Sequence, residues 1–213
     1  MSTDPAAVID AALDPRGAVQ IAAAALQAGQ VIALATDTVY GLVARVDDAE
    51  AIHQMYELKG RPADRRTAVL VADIAQAAGL VEMEGLASRL ALRFWPGPVT
   101  IVAARRASTA AGVGDRSTIG VRCPDDDVVR AIAERVGPLA ATSANRHGMA
   151  PPESATAVSE VFPSIGVVID GGDRSGGAST VVRVDGDDLT VVREGPISEA
   201  RIRAVLDDGP ESP

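Results

Sequence analysis

Val31-Ile32-Ala33-Leu34-Ala35-Thr36-Asp37-Thr38-Val39-Tyr40-Gly41-Leu42 holds five apolar residues in a row and then, at once, two hydroxyls around a carboxylate. So short and unbroken a run suits a strand covered on both faces. The polar triplet behind it admits two readings. Either Thr36 and Asp37 cap a turn while Tyr40 packs, or the strand end faces a substrate, as strand ends do in open α/β sheets.

Outward from this run, helical and strand patterns alternate. Val19, Ala22-Ala23 and Leu26 have helical spacing over Gly17 to Ala28, with Gly29 where a helix stops. Ala49 to Leu58 reads as a helix that delivers the chain to Lys59-Gly60-Arg61-Pro62, where Gly60 breaks it and Pro62 stiffens the exit. Strand-like runs follow at Ala68 to Val71, Val99 to Ala103, Ile119 to Pro124, Leu139 to Ala141 and Val167 to Ile169. Helical stretches at Leu86 to Phe94, from Asp126 or Asp127 to Arg135, and Ser154 to Val161 separate them. Ser179 to Val184 and Leu189 to Arg193 read as a strand pair across Asp185-Gly186-Asp187, and Pro196 and Ser198 open a last helix to Leu206. This alternation predicts an α/β fold, a sheet with helices packed on it, in one domain over residues 16–206. Residues 1–15 read as a loosely held arm, and the acidic residues 207–213 as a frayed tail.

With 213 residues, 47% hydrophobic and only 2% aromatic, the core must be made of Ala, Val, Ile and Leu, around Trp95 as an anchor beneath the Pro96-Gly97-Pro98 turn. No apolar run approaches the roughly 20 residues of a spanning helix and the N-terminus has no leader pattern, so the expectation is a soluble, cytoplasmic protein with no membrane contact. Cys123 stands alone and excludes an internal disulfide; with His53 and His147 it makes no zinc constellation, and no protein metal site is expected. The net charge of −9 argues against broad nucleic-acid binding as the main task.

The polar residues that interrupt these apolar runs define a candidate site. Of 20 basic residues 19 are arginine, and the lone lysine is Lys59. It is either a chance survivor or a place that needs a compact ammonium instead of a flat fork. Arg122 lies inside an otherwise apolar strand and must meet a carboxylate, from the protein or from a ligand. Thr142-Ser143-Ala144-Asn145 ends another strand with small hydrogen-bonding groups, and the loop from Asp170 to Gly177 is a hairpin or an anion-binding nest. Cations and neutral hydrogen-bonders without a histidine, thiol or carboxylate pair suit binding and transfer of phosphates, where positioning and charge stabilisation do most of the work. The Walker and Gly-x-Gly-x-x-Gly patterns are both missing, so any nucleotide is held another way.

Seven blocks then appear in order: Thr36-Asp37-Thr38-Val39-Tyr40-Gly41-Leu42, Lys59-Gly60-Arg61-Pro62, Phe94-Trp95-Pro96-Gly97-Pro98, Gly120-Val121-Arg122 with Pro124, Ser143-Ala144-Asn145, Ser179-Thr180-Val181-Val182, and Arg193 with Gly195. Together, from about Ala18 to Ser198, they resemble the YrdC family. The resemblance implies a twisted mixed sheet with a concave, positively charged groove, and the activity of threonylcarbamoyl-AMP synthase. Its substrates are L-threonine, bicarbonate and ATP, its products include pyrophosphate, and magnesium is carried with the ATP. Downstream partners are tRNA threonylcarbamoyl-transferase proteins acting beside the anticodon, with a weak tRNA contact of its own. By the same resemblance Lys59, Arg61, Ser143 and Asn145 serve the phosphates and the reacting centre, Thr38, Arg122, Ala141 and Ser179 match threonine-binding positions, and Thr118 and Arg193 match ATP contacts. Many members continue after Lys-Gly-Arg-Pro with Asn-Pro and a later His; here Arg65-Arg66 and Leu70 take those places, with Arg65 a replacement phosphate ligand. Ala150-Pro151-Pro152 stands where Ser-Pro-Thr often follows Ser-Ala-Asn, and the chain looks like the short form. Two other classes stay open: a tRNA or double-stranded-RNA-binding module of the same fold, and a related carbamoyl-adenylate enzyme with another amine or carbonyl donor.

Overall fold

The opening run forms the strand it predicts, Ile32–Ala35, with all four residues buried, in a computed structural model that describes residues 6–60, 67–109 and 112–207. The chain runs β1 (Ala7–Asp10), α1 (Pro15–Gln27), β2 (Ile32–Ala35), β3 (Tyr40–Arg45), α2 (Ala49–Lys59), β4 (Ala68–Leu70), α3 (Ile74–Ala78), α4 (Gly85–Phe94) and β5 (Val99–Ala104). It continues through β6 (Thr118–Arg122), α5 (Asp127–Val136), β7 (Leu139–Ser143), α6 (Ala155–Val161), β8 (Val167–Asp170), β9 (Thr180–Asp185), β10 (Asp188–Arg193) and α7 (Glu199–Asp207). The ten described strands make one mixed sheet in the order β1-β8-β2-β3-β7-β4-β6-β5-β9-β10.

Side chains alternate across a strand, and the two faces are covered differently. One face carries Ala33, Leu42, Val69, Ile101, Val121, Ala140 and Val182 beneath α2, α4, α6 and α7, in the main core. The other face carries Ile32, Leu34, Val43, Leu70, Leu139 and Ala141 beneath Ala22, Leu26, Val129 and Ile132 of α1 and α5. That second cover reaches no farther than β4. On the same face of β6, β5 and β9 the side chains are Thr118, Gly120, Arg122, Thr100, Val102, Ser179, Val181 and Arg183, and they face a groove.

Local chemistry sets the helix starts. Asp14, Asp48, Asp73, Asp126 and Ser154 each cap a helix by accepting a backbone N–H three residues on. The acidic cluster at Asp125 to Asp127 is accordingly a helix start. Gly60 closes α2 with φ +60°, a left-handed position suited to glycine. The Trp95 indole is buried beneath its turn and donates to Val99 O at 2.6 Å, and Cys123 is a buried free thiol, pushed up to about 11 by burial.

Two strands escape the sequence pattern. The reading of residues 1–15 as an arm misses β1, which pairs in parallel with β8 from Ala7↔Val167 to Asp10↔Asp170. A four-residue edge strand with mostly exposed side chains carries no alternation to read. The run through Leu42 reads only as the end of β2, yet Tyr40–Arg45 returns antiparallel beside it as β3 and pairs with β7 as well. The Asp170 to Gly177 loop is not a hairpin: residues 171–179 form no strand. Tyr40 donates to Asp170 Oδ1 at 2.8 Å, Arg174 donates to Thr36 O, and Arg174 N–H to Glu153 O at 2.7 Å, so the loop lies against the Thr36–Thr38 turn. Burial, with Asp170 beside it, pushes the Tyr40 hydroxyl well above the ordinary phenol range.

Candidate active site

The groove encloses about 510 Å³ over the uncovered half of the sheet. Thr38, Thr118, Arg122, Ala141, Ser143, Ser179 and Arg193 all line it. Strand parity explains why residues so distant in sequence meet: each occupies the same face of its strand, or the turn that extends it. Arg193 needs a further device. A bulge at Val192, between the pairs Val191↔Val182 and Arg193↔Val181, returns Arg193 to the groove side of the β10 edge. The floor is flat because β6 carries Gly120; a Cβ there would stand 3.2 Å from Thr100 Cγ2 and 3.5 Å from Val102 Cγ2.

Arg122 is 5% exposed. Its Nε donates to Gly97 O at 3.0 Å, Nη1 to Thr38 Oγ1 at 2.8 Å, and Nη2 to Asp37 Oδ1. The protein therefore supplies the carboxylate that a buried guanidinium requires, and that carboxylate is Asp37. Arginine has five N–H donors; described residues accept three of them, which leaves one on each terminal nitrogen without a partner among the described residues. Burial lowers the Arg122 pKa and Asp37 opposes the shift. Thr36 fulfils the capping reading: its Oγ1 accepts from Thr38 and Val39 N–H, both at 3.2 Å, and lies 3.0 Å from Thr38 Oγ1.

Across the floor, Ser179 Oγ bonds Thr100 Oγ1 at 2.8 Å. Arg193 donates Nε and Nη2 to Ser179 O at 3.1 and 2.8 Å, and its pKa is lowered by burial first and by the Arg122 charge second. At the far end Thr118 gives its N–H and hydroxyl to the two oxygens of Asp115 at 2.5 and 3.0 Å. Those bonds, led by the Thr118 N–H, hold the Asp115 carboxyl down at about 2.

Lys59 and Asn145 stand behind the wall and reach the groove through Ser143. Lys59 is 4% exposed; its Nζ donates to Ser143 O and, at 3.3 Å, to Asn145 Oδ1. Ser143 Oγ donates to the same Asn145 oxygen, while Asn145 Nδ2 donates to Arg146 O at 2.9 Å and Met149 O at 2.6 Å. The lone lysine is thus a buried ammonium among converging acceptors, a setting that a planar fork does not fit. Arg61 and Arg65 lie outside the described residues. Leu70 lines the groove as the cross-strand neighbour of Arg122. Among the described residues no group of three or more His, Cys, Asp or Glu could hold a metal, and no helix is long and apolar enough to cross a membrane.

Sequence reasoning missed Asp37 as a partner of Arg122, and Gly120, Thr100 and Arg183 as parts of the groove. Asp37 had a signal: an acid directly after a buried strand needs a partner, and Arg122 needed one too.

The family model described as "Telomere recombination", Sua5/YciO/YrdC, matches residues 24–195. A Mycobacterium tuberculosis protein is 37% identical over 189 residues, a match covering 87% of each chain. The threonylcarbamoyl-AMP synthase of Bacillus subtilis is 36% identical over 197 residues, covering 87% of this chain and 55% of that one. The crystal structure of Pyrococcus abyssi Sua5 complexed with L-threonine matches with a TM-score of 0.83 at 33% identity, over 93% of this chain and 59% of that chain. The chain thus spans most of the mycobacterial relative and little more than half of the other two.

Proposed function

This chain belongs to the Sua5/YciO/YrdC family, and from that footing we propose that it is a threonylcarbamoyl-AMP synthase, joining L-threonine, bicarbonate and ATP with release of pyrophosphate. One observation carries the reading: Arg122, buried in a groove that also holds Ser179 and Arg193, keeps on each terminal nitrogen an N–H that no described residue takes. That pair of donors matches the bidentate grip of an amino-acid carboxylate.

In this reading Arg122 holds the threonine carboxylate, with the Thr38 and Ser179 hydroxyls beside it and Ala141 along the wall. The threonine nitrogen attacks the bicarbonate carbon, water leaves, and a carbamate results. A carbamate oxygen then attacks the α-phosphorus of ATP; the bond to the bridging oxygen breaks and pyrophosphate departs with its electrons. No side chain here needs to act as a nucleophile. The work is positioning and the offsetting of crowded negative charge, by Arg193, Lys59 and Arg61, with Ser143, Asn145 and Thr118 as neutral partners. Magnesium enters on the ATP phosphates as part of the substrate. The product passes to tRNA threonylcarbamoyl-transferase proteins, which use it on the adenosine beside the anticodon.

The test is pyrophosphate release from purified protein given all three substrates. Release should require threonine and fall by about 10²–10³ in Lys59→Ala, the range for removing one preorganised charge donor. Threonine-independent release, or a Lys59→Ala rate equal to wild type, overturns the reading.

A further inference from the structure

Three described guanidiniums line one groove, Arg122, Arg183 and Arg193, and Arg122 and Arg193 differ in their counter-ions. Arg122 is ion-paired with Asp37, their side chains 6% and 12% exposed. Among the described residues Arg193 donates to Ser179 alone, through its carbonyl and, at 3.3 Å, its hydroxyl, and no carboxylate pairs with it. The two lie on the same sheet face, separated by β5 and β9, close enough for the Arg122 charge to act on Arg193. If the groove takes an amino acid and a nucleoside triphosphate together, it must sort a singly charged carboxylate from a polyphosphate carrying several charges.

Charge and hydrogen bonding separate here. An ion-paired arginine presents a smaller net charge at a distance than an unpaired one, while its remaining N–H groups still donate at contact. An uncompensated arginine attracts an anion in proportion to that anion's charge. Arg193 is accordingly the stronger attractor for polyphosphate, and Arg122 a short-range, directional donor. Asp37 makes the difference, and its side chain, 12% exposed, is not one of the residues that line the groove. Resting on the synthase reading, we propose that Asp37 is a specificity-determining residue that reserves Arg122 for a carboxylate by keeping polyphosphate off it.

Asp37→Asn separates this role from mere positioning, because an amide oxygen still accepts from Nη2 and only the charge is lost. Calorimetric titration of L-threonine is made with and without saturating tripolyphosphate, with Asp37→Glu as the charge-restoring variant. Wild type and Asp37→Glu should bind threonine with an affinity that tripolyphosphate changes by less than about twofold. In Asp37→Asn, tripolyphosphate should compete and weaken threonine by about tenfold or more, the effect of one unit charge a few ångströms away. Threonine binding by Asp37→Asn that ignores tripolyphosphate overturns the proposal. Should Asp37→Asn fail to fold, Arg122→Ala and Arg193→Ala decide in its place. Tripolyphosphate affinity should fall about tenfold in Arg193→Ala and less than about twofold in Arg122→Ala; equal losses overturn the proposal. Wild type that binds tripolyphosphate but no threonine overturns the synthase reading, and this proposal with it.

Discussion

Asp115 sits at the turn before β6 and accepts the N–H of Ser117 and both donors of Thr118. Its folded pKa of about 2 lies below the ordinary 3.8. A depressed carboxylate pKa gives stability that is complete above the unfolded value and lost as pH falls through the folded one. Asp115→Asn should therefore lower the melting temperature at pH 7 by roughly 2–4 °C, after allowance for solvent screening at a half-exposed turn. The gap should shrink between pH 3.8 and 2 and close below that, where the wild-type carboxyl is itself neutral. Melting curves across pH 2 to 7 check it; a gap that is constant with pH counts against it. At this scale the sequence was legible where composition isolates a residue, and Lys59 is the example. For Asp37 the need of a partner is legible but the partner is not, because Arg122 lies 85 residues away.

β6 illustrates how an element can be made for a ligand at the expense of its own packing. Gly120 weakens the strand, and in return leaves the floor between Arg122 and Thr118 low. The atoms nearest a Cβ at residue 120 are side-chain methyls, with 3.2 Å the closest approach, and Gly120→Val gains strand propensity of up to about 1 kcal/mol. It should hold or raise the melting temperature while weakening both threonine and ATP binding by about tenfold or more, since its methyls fill the groove. Calorimetry beside a thermal melt tests it, and undiminished affinity would place the ligands elsewhere. Buried strands and capped helices could be read from sequence because their signals are local: an apolar run, an Asp or Ser at the N-cap, a Gly at the close. β1, β3 and the short α3 could not, the first for want of buried side chains and the others because turn residues surround them. The bulge at Val192 left no trace either, since an extra residue in a strand looks like any other.

Across the whole molecule the defining asymmetry is a sheet covered on one face and half covered on the other. α1 and α5 belong to the half away from the groove, so the two halves should respond separately to damage. Leu26→Ala, at a site 1% exposed in that smaller core, should cost about 2–5 kcal/mol of stability. At a temperature where the variant stays folded, its threonine affinity should remain within about twofold of wild type. Isothermal titration alongside denaturant unfolding decides this, and a threonine affinity lost in parallel with stability would show the halves to be coupled. The alternation of strands and helices made the α/β class legible, whereas the strand order was not, because it is written in pairings between distant segments. One of those pairings bears on how the protein is made. Ala7 pairs beside Val167, so β1 leaves the ribosome about 160 residues before the strand that it joins. At roughly 5–20 residues per second that delay is roughly 8–30 s, during which Ile9 and Ala11, packed in the smaller core once folded, have nothing to pack against and are open to chaperones.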